Sequence, residues 1–278
     1  MRGKRFYDGL DDDVRAILLA QIRNLWTHAS TAIEGNSLSL GETAFVLDEG
    51  LTIAGKPLKD HQEVVGHARA IELVYAFLDL PALSEQELFL LHQAVLTDHV
   101  ADIYRPAGAW KKEANFTNAM GPDGRQFMRE YPAPARVPAL MAEWLVLLNR
   151  AFRMEDMDEN QAAACYAGLH LSFVSIHPFF DGNGRMARLL CNLPLLRSGY
   201  PPIVVPTAMR REYLAAISVY QNGITDLPGL SSLGGLPQSD AEKQFEALCQ
   251  EFAREGRELV SNAFRLQEDR KRGREGGI

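Results

Sequence analysis

Cysteine is scarce in this 278-residue chain: only Cys165, Cys191 and Cys249 occur, and no CxxC pair. An odd number at wide spacing argues against a disulfide framework or a cysteine zinc site and fits free thiols in a reducing cytoplasm. The seven histidines are scattered, with no HExxH, so a zinc protease is not supported. Positive charge is in deficit as well, with 29 basic against 36 acidic residues and a net charge of -7. A broad nucleic-acid footprint needs the opposite sign, so nucleic acid is not expected as the main partner. No apolar run reaches the ~18 residues of a membrane span. The first residues, Met1 to Asp13, are basic and then acidic without an apolar stretch, so neither a secretory signal nor a membrane partner is expected.

The composition is 46% hydrophobic and 23% charged, an ordinary balance for a folded chain with its own core. Helical spacing dominates. Val14, Ile17, Leu18, Ile22, Leu25 and Trp26 make one apolar face, preceded by Asp11, Asp12 and Asp13 where negative charge suits a helix start. Further stripes run from Val64 to Leu78, Leu88 to Leu96 and Val137 to Leu148. Ser39 with Glu42, Ser84 with Glu87 and Ser239 with Glu242 read as capping boxes, and Gly50 as a helix end. Ala162 to Ile176 is apolar almost all round and predicts a central buried helix. Helices are also expected over 185–198, 207–221 and 240–264, with a loop at 229–239 and a frayed tail at 268–278. Around Gly121-Pro122-Asp123-Gly124, two short extended pieces at 115–117 and 126–128 predict a β-hairpin. The sum is a mainly α domain with one small hairpin.

One loop concentrates chemistry: His177-Pro178-Phe179-Phe180-Asp181-Gly182-Asn183-Gly184-Arg185-Met186-Ala187-Arg188. Pro178 disfavours helix at the residue before it, so the buried helix ends near Ile176. Two glycines then let backbone amides turn inward at the start of a new helix, an anion nest to which Asn183 adds a side-chain donor. Arg185 and Arg188, three apart, share a helix face and can both reach a polyphosphate. Asp181 suits Mg²⁺, which takes one or two carboxylates with phosphate oxygens. His177 suits a general base. A lone Gly-x-Gly or an isolated histidine is ordinarily structural, but no packing requirement calls for this whole set within twelve residues.

The loop resembles the Fic family signature, HxFx[DE]GNGRxxR, at every specified position, and the resemblance extends over roughly residues 28 to 222. It implies an all-α fold: a Fic-type helical core with a small β-hairpin flap, arranged as N-terminal helices over 1–83, a core over 84–222 and a C-terminal loop, helix and tail over 223–278. It implies a protein adenylyltransferase that moves AMP from ATP to a Tyr, Thr or Ser hydroxyl of a target protein, with Mg²⁺ or Mn²⁺. Carried over, His177 deprotonates the hydroxyl, Asp181 holds the metal, Gly182, Asn183 and Gly184 form the anion hole, and Arg185 and Arg188 position the β- and γ-phosphates. Phe179 is a buried anchor. Gly184 is usually missing from the phosphate-transferring Doc branch, which points to nucleotidyl transfer.

Ser30-Thr31-Ala32-Ile33-Glu34-Gly35-Asn36 resembles the family's inhibitory motif, [ST]xxxE[GN], in the subclass whose inhibitory helix, here around 26–36, precedes the core. Glu34 would pair with Arg188, with Ser30 and Gly35 completing the motif. The hairpin at 113–129 stands where the family has its flap, with Asn115, Phe116 and Thr117 as target-docking residues. Family flaps are more aliphatic and tighter, so target choice does not carry over. Adenine would meet Tyr213 and Gln221; Leu214 and Gln221 stand where tyrosine and asparagine are usual. His170 reads as a core histidine. A homodimer is allowed by the resemblance. Two alternatives remain: a de-AMPylase in which Glu34 orients water, and a non-catalytic module that senses ATP.

Overall fold

A computed structural model describes residues 4–96, 104–121, 124–154 and 156–275. Helix α1 (Asp12–Ile33) runs unbroken, so the apolar stripe after Asp11 and the motif around Glu34 belong to one helix. It begins with Asp12 and Asp13 in its first turn, but Asp11 makes no side-chain cap. Helices α2 (Leu40–Glu49) and α4 (Glu85–Val95) open on reciprocal capping boxes at Ser39/Glu42 and Ser84/Glu87, and left-handed Gly50 closes α2. Between them α3 (Leu58–Phe77) packs on both α1 and α4.

Strands β1 (Phe116–Met120) and β2 (Gln126–Glu130) pair antiparallel, Phe116 opposite Glu130 and Met120 opposite Gln126. Pro122 and Asp123 of the expected turn lie outside the described residues; Gly121 and Gly124 beside them are hydrogen-bonded at 3.0 Å. Then come α5 (Val137–Phe152) and α6 (Glu159–Ile176). Twelve residues of α6 are buried, and α5 and α10 (Asp240–Glu275) both pack on it, as its apolar surface requires.

The single helix expected over 185–198 is instead two, α7 (Asn183–Leu190) and α8 (Leu193–Arg197). Pro194 explains the break, since its ring has no N–H for the carbonyl four residues back. Asn192 stabilises the corner, donating to Arg188 O and Ile203 O and accepting from Ile203 N at 2.7–3.0 Å. The span expected to start at Thr207 opens with one 3₁₀ turn before α9 (Arg210–Asn222). Another 3₁₀ turn, Leu233–Gly235, interrupts the 229–239 loop.

The expected fraying of the tail is overturned as far as Glu275. Helix α10 continues because its far end is tied to the start of the chain: Gln267 accepts from Asp11 N and donates to Gly9 O, and Arg270 pairs with Asp13. Residues 276–278 lie outside the described residues. Among the described residues no helix is long and apolar enough to cross a membrane.

Candidate active site

Helix α6 delivers His177 to one lip of a cavity of about 470 Å³. His177 closes the helix with φ 51° and ψ 58°, the only non-glycine residue at positive φ among the described residues. Such left-handed backbone in a bulky residue is strained and persists where the surroundings fix it. Here they do. Its ring stacks on Tyr131 at 3.9 Å, and Nδ1 lies 3.3 Å from Val174 O. That contact assigns the proton to Nδ1 and leaves the Nε2 lone pair free. Burial, then the Lys111 ammonium, holds the imidazole well below its ordinary pKa, so it is neutral near pH 7.

Between α6 and α7 the loop is braced from several sides. Phe179 is fully buried, stacked on His92 at 3.9 Å and packed on Trp110. His92 itself bonds Asp181 O at 3.0 Å through Nε2 and accepts from Gly108 N. Asn183 turns back into the loop: Oδ1 accepts from Phe179 N and Nδ2 donates to Phe179 O. The expectation that its side chain is offered to an anion is therefore corrected, because the carboxamide already holds the loop closed. Gly182, with φ 76°, swings the chain into α7 and aims that helix's N-terminus at the cavity.

Glu34 and Arg188 meet at 2.6 Å. Arg188 is almost fully buried, and its other donors reach Ser30 Oγ, Ser30 O and Tyr213 OH at 2.9–3.1 Å. Glu34 can arrive there because α1 ends at that point in a Schellman turn. Gly35, with φ 101°, donates to Ala32 O and Asn36 N donates to Thr31 O. The Glu34 carboxylate lies directly over the nest: a Cβ placed on Gly184 would come within 2.8 Å of Glu34 Oε1 and 3.0 Å of Arg188 Nη1. A larger residue at 184 would have to push one of these side-chain ends aside.

Arg185 differs from its expected place. It is buried beside the cavity rather than on its wall, 3.6 Å from Asp181 and 3.9 Å from Glu63. Asp181 lines the cavity with a half-exposed carboxylate that also accepts from Gly182 N. Among the described residues no group of three or more His, Cys, Asp or Glu could hold a metal by itself. A single carboxylate beside an anion nest suits an ion that arrives with a phosphate.

Hairpin and helix α9 form the opposite wall. Phe116 is exposed, and Thr117 bonds the Tyr131 hydroxyl at 2.8 Å. Asn115, expected to dock a target, is instead buried: it donates to His177 O and Phe179 O and accepts from Lys111 Nζ. It latches the hairpin to the loop. Tyr213 reaches the cavity wall, but its hydroxyl is engaged by Arg188 and His170 Nε2. Gln221 is engaged at both ends, by Arg129 and Val174 O. His170 is buried as expected of a core histidine; its Nδ1 has no partner among the described residues.

Lys111, Tyr131 and His92 are the site residues that sequence reasoning missed. Lys111 is a lysine just before the hairpin, and only its burial, which lowers its pKa to about 8, marks it. Tyr131, one residue after β2, and His92, within an ordinary amphipathic helix, carry no motif signal.

Comparison with known proteins points the same way. The Fic/DOC family model matches residues 82–195. The chain is similar to "Protein adenylyltransferase fic-1" of Caenorhabditis briggsae, 34% identical over 208 residues that cover 72% of this chain and 37% of the relative. "Protein adenylyltransferase Fic" of Drosophila willistoni is 30% identical over 195 residues, 70% of this chain and 36% of the relative. The chain thus spans little more than a third of these curated relatives. Among solved structures, a Fic-domain-containing signalling protein from Bacteroides thetaiotaomicron shares the fold, with a TM-score of 0.75 at 24% identity over 92% of each chain. A fragment of Fic-1 from C. elegans gives 0.63 at 27% identity over 89% of this chain and 67% of the other.

Proposed function

We propose that this chain, whose residues 82–195 match the Fic/DOC family model, is a protein adenylyltransferase, transferring AMP from ATP to a Tyr, Thr or Ser hydroxyl of a target protein. The observation that carries this reading is the meeting of three features in one cavity: a neutral histidine, a glycine-lined helix N-terminus and Arg188.

Chemistry follows from that arrangement. The triphosphate lies on the amides of Gly182–Gly184, with negative charge met by the α7 N-terminus, Arg188 and, from beside the cavity, Arg185. The target hydroxyl attacks the α-phosphorus, and its proton passes to His177 Nε2. A P–O bond forms to the target, the bond to the β-phosphate bridging oxygen breaks, and pyrophosphate leaves. The fixed loop supplies position, and the nest and arginines stabilise charge without reorganising. Asp181 fits Mg²⁺ or Mn²⁺, which when bound neutralises part of the phosphate charge. On the hairpin, the exposed Phe116, Met120, Phe127 and Met128 favour docking of an extended target segment by strand addition.

Glu34 restrains this activity. Its carboxylate occupies Arg188 and the space over Gly184, where phosphate must lie. The test of the function is incubation of the Glu34→Gly protein with ATP labelled at the α- or the γ-phosphate. Covalent α-label without γ-label on protein is the expected result; γ-label on protein would mean phosphate transfer and would refute it.

A further inference from the structure

The cavity has two ends. Phosphate belongs at the Gly182–Arg188 end, so a nucleobase must lie at the other, between the hairpin and α9. The wall there is Leu214, Ile217, Ser218 and Gln221 of α9 facing Ala119 and Met120 of β1. Apolar side chains dominate it, and the polar ones already have partners.

Gln221 is 4% exposed. Its Oε1 accepts from Arg129 Nη1 at 2.8 Å and its Nε2 donates to Val174 O at 3.1 Å. Ser218 Oγ donates to Met120 O at 3.2 Å, and so does Asn222 Nδ2 at 3.0 Å. Arg129, 6% exposed, also donates to Asn222 Oδ1. These bonds fasten the hairpin to α9. The same groups would otherwise supply the donors and acceptors that tell one base edge from another. Asn118 and Gln126 also line the cavity, but both are exposed, where water competes for their bonds.

We infer that the base is held by apolar contact and that the site accepts nucleoside triphosphates with little discrimination among bases, ATP being one of several. This rests on the nucleotide-transfer reading and names its substrate class. A site built to hydrogen-bond a substrate edge rejects an analogue lacking it by about 10⁴-fold or more, whereas an apolar pocket discriminates by about 10–200-fold. Adenine and guanine share one planar bicycle and belong at the low end of the second range, while the smaller pyrimidines bury less area and belong higher within it.

The experiment measures ATP, GTP, CTP and UTP, each with Mg²⁺, displacing a fluorescent ATP analogue from the Glu34→Gly protein, and then repeats ATP and GTP on Glu34→Gly/Gln221→Met. ATP and GTP are expected to fall within about ten-fold of each other, and CTP and UTP within the roughly 10–200-fold span of an apolar pocket. The ATP-to-GTP ratio is expected to be the same in both proteins, whatever happens to the absolute values, because loss of packing weakens both nucleotides alike. ATP binding about 100-fold or more tighter than GTP overturns the inference and leaves the proposed function intact. A ratio that collapses in the Gln221→Met protein also overturns it, since the carboxamide would then be reading adenine. Binding of none of the four removes the nucleotide site, and with it both this inference and the proposed function.

Discussion

Replacing Glu34 by glycine removes one contact and one charge, and the size of the result can be worked from the geometry. The 2.6 Å bond to Arg188 is charge-assisted, a class worth about 1.5–3 kcal/mol. The Glu34 side chain is 40% exposed, so water screens it and the lower half of that range applies. At 1.36 kcal/mol per decade this is roughly a 10- to 40-fold rise in productive nucleotide binding. Arg188 does not lose its place, because both Ser30 contacts and the Tyr213 hydroxyl remain. The assay is initial incorporation of α-labelled ATP at equal, subsaturating nucleotide for wild type, Glu34→Gly, Arg188→Ala and the double variant. The gain should appear in the single Glu34 variant and vanish in the double, since the same arginine serves both states. No gain in the Glu34 variant refutes the inhibitory role; a gain that survives loss of Arg188 refutes the shared-arginine mechanism.

Further outcomes follow from individual contacts. His177→Ala in the Glu34→Gly background should lower transfer by about 10²–10⁴-fold while nucleotide affinity stays within a few-fold, measured by label incorporation beside direct binding. Excess chelator should abolish labelling, and undiminished transfer would exclude a metal at Asp181. The Lys111 ammonium lowers the His177 pKa, so Lys111→Met should raise it and move the acid limb of the kcat/KM–pH profile to higher pH; an unmoved or opposite limb contradicts the coupling. Asn115→Ala strips acceptors and donors from buried partners and should cost about 1–3 kcal/mol in denaturant unfolding, with transfer falling because the His177 loop loses its latch.

Much of the fold could be read from the sequence, because α1 and α5 repeat apolar residues at helical spacing, α6 is apolar almost all round, and Ser39 and Ser84 carry their caps in sequence. The chemical loop was equally open to reading, since its residues are contiguous. What escaped depends on distance along the chain. Nothing local marks Lys111 or Tyr131 as neighbours of His177. Nothing in the charged stretch after Glu268 announces that Arg270 meets Asp13, 257 residues away. Asn183 misled for a different reason. A carboxamide beside two glycines can face a ligand or its own loop, and only the position of Phe179 decides.

Joining the far end of α10 to the start of α1 sets a clock on folding. The Gln267–Asp11 bond closes a separation of 256 residues. At about 5–20 residues per second of synthesis, the start of α1 waits on the order of 13–50 s before that partner exists. During the wait α1 can pack on α3, which emerges within tens of residues, and Arg5 can bond Leu78 O and Asp79, but the bonds of Gln267 and Arg270 to the start of α1 are still missing. Long-range closure of this kind is slow and comes late. The helix that holds Glu34 is thus made well before α10, and the bonds of Gln267 and Arg270 to its root are added afterwards.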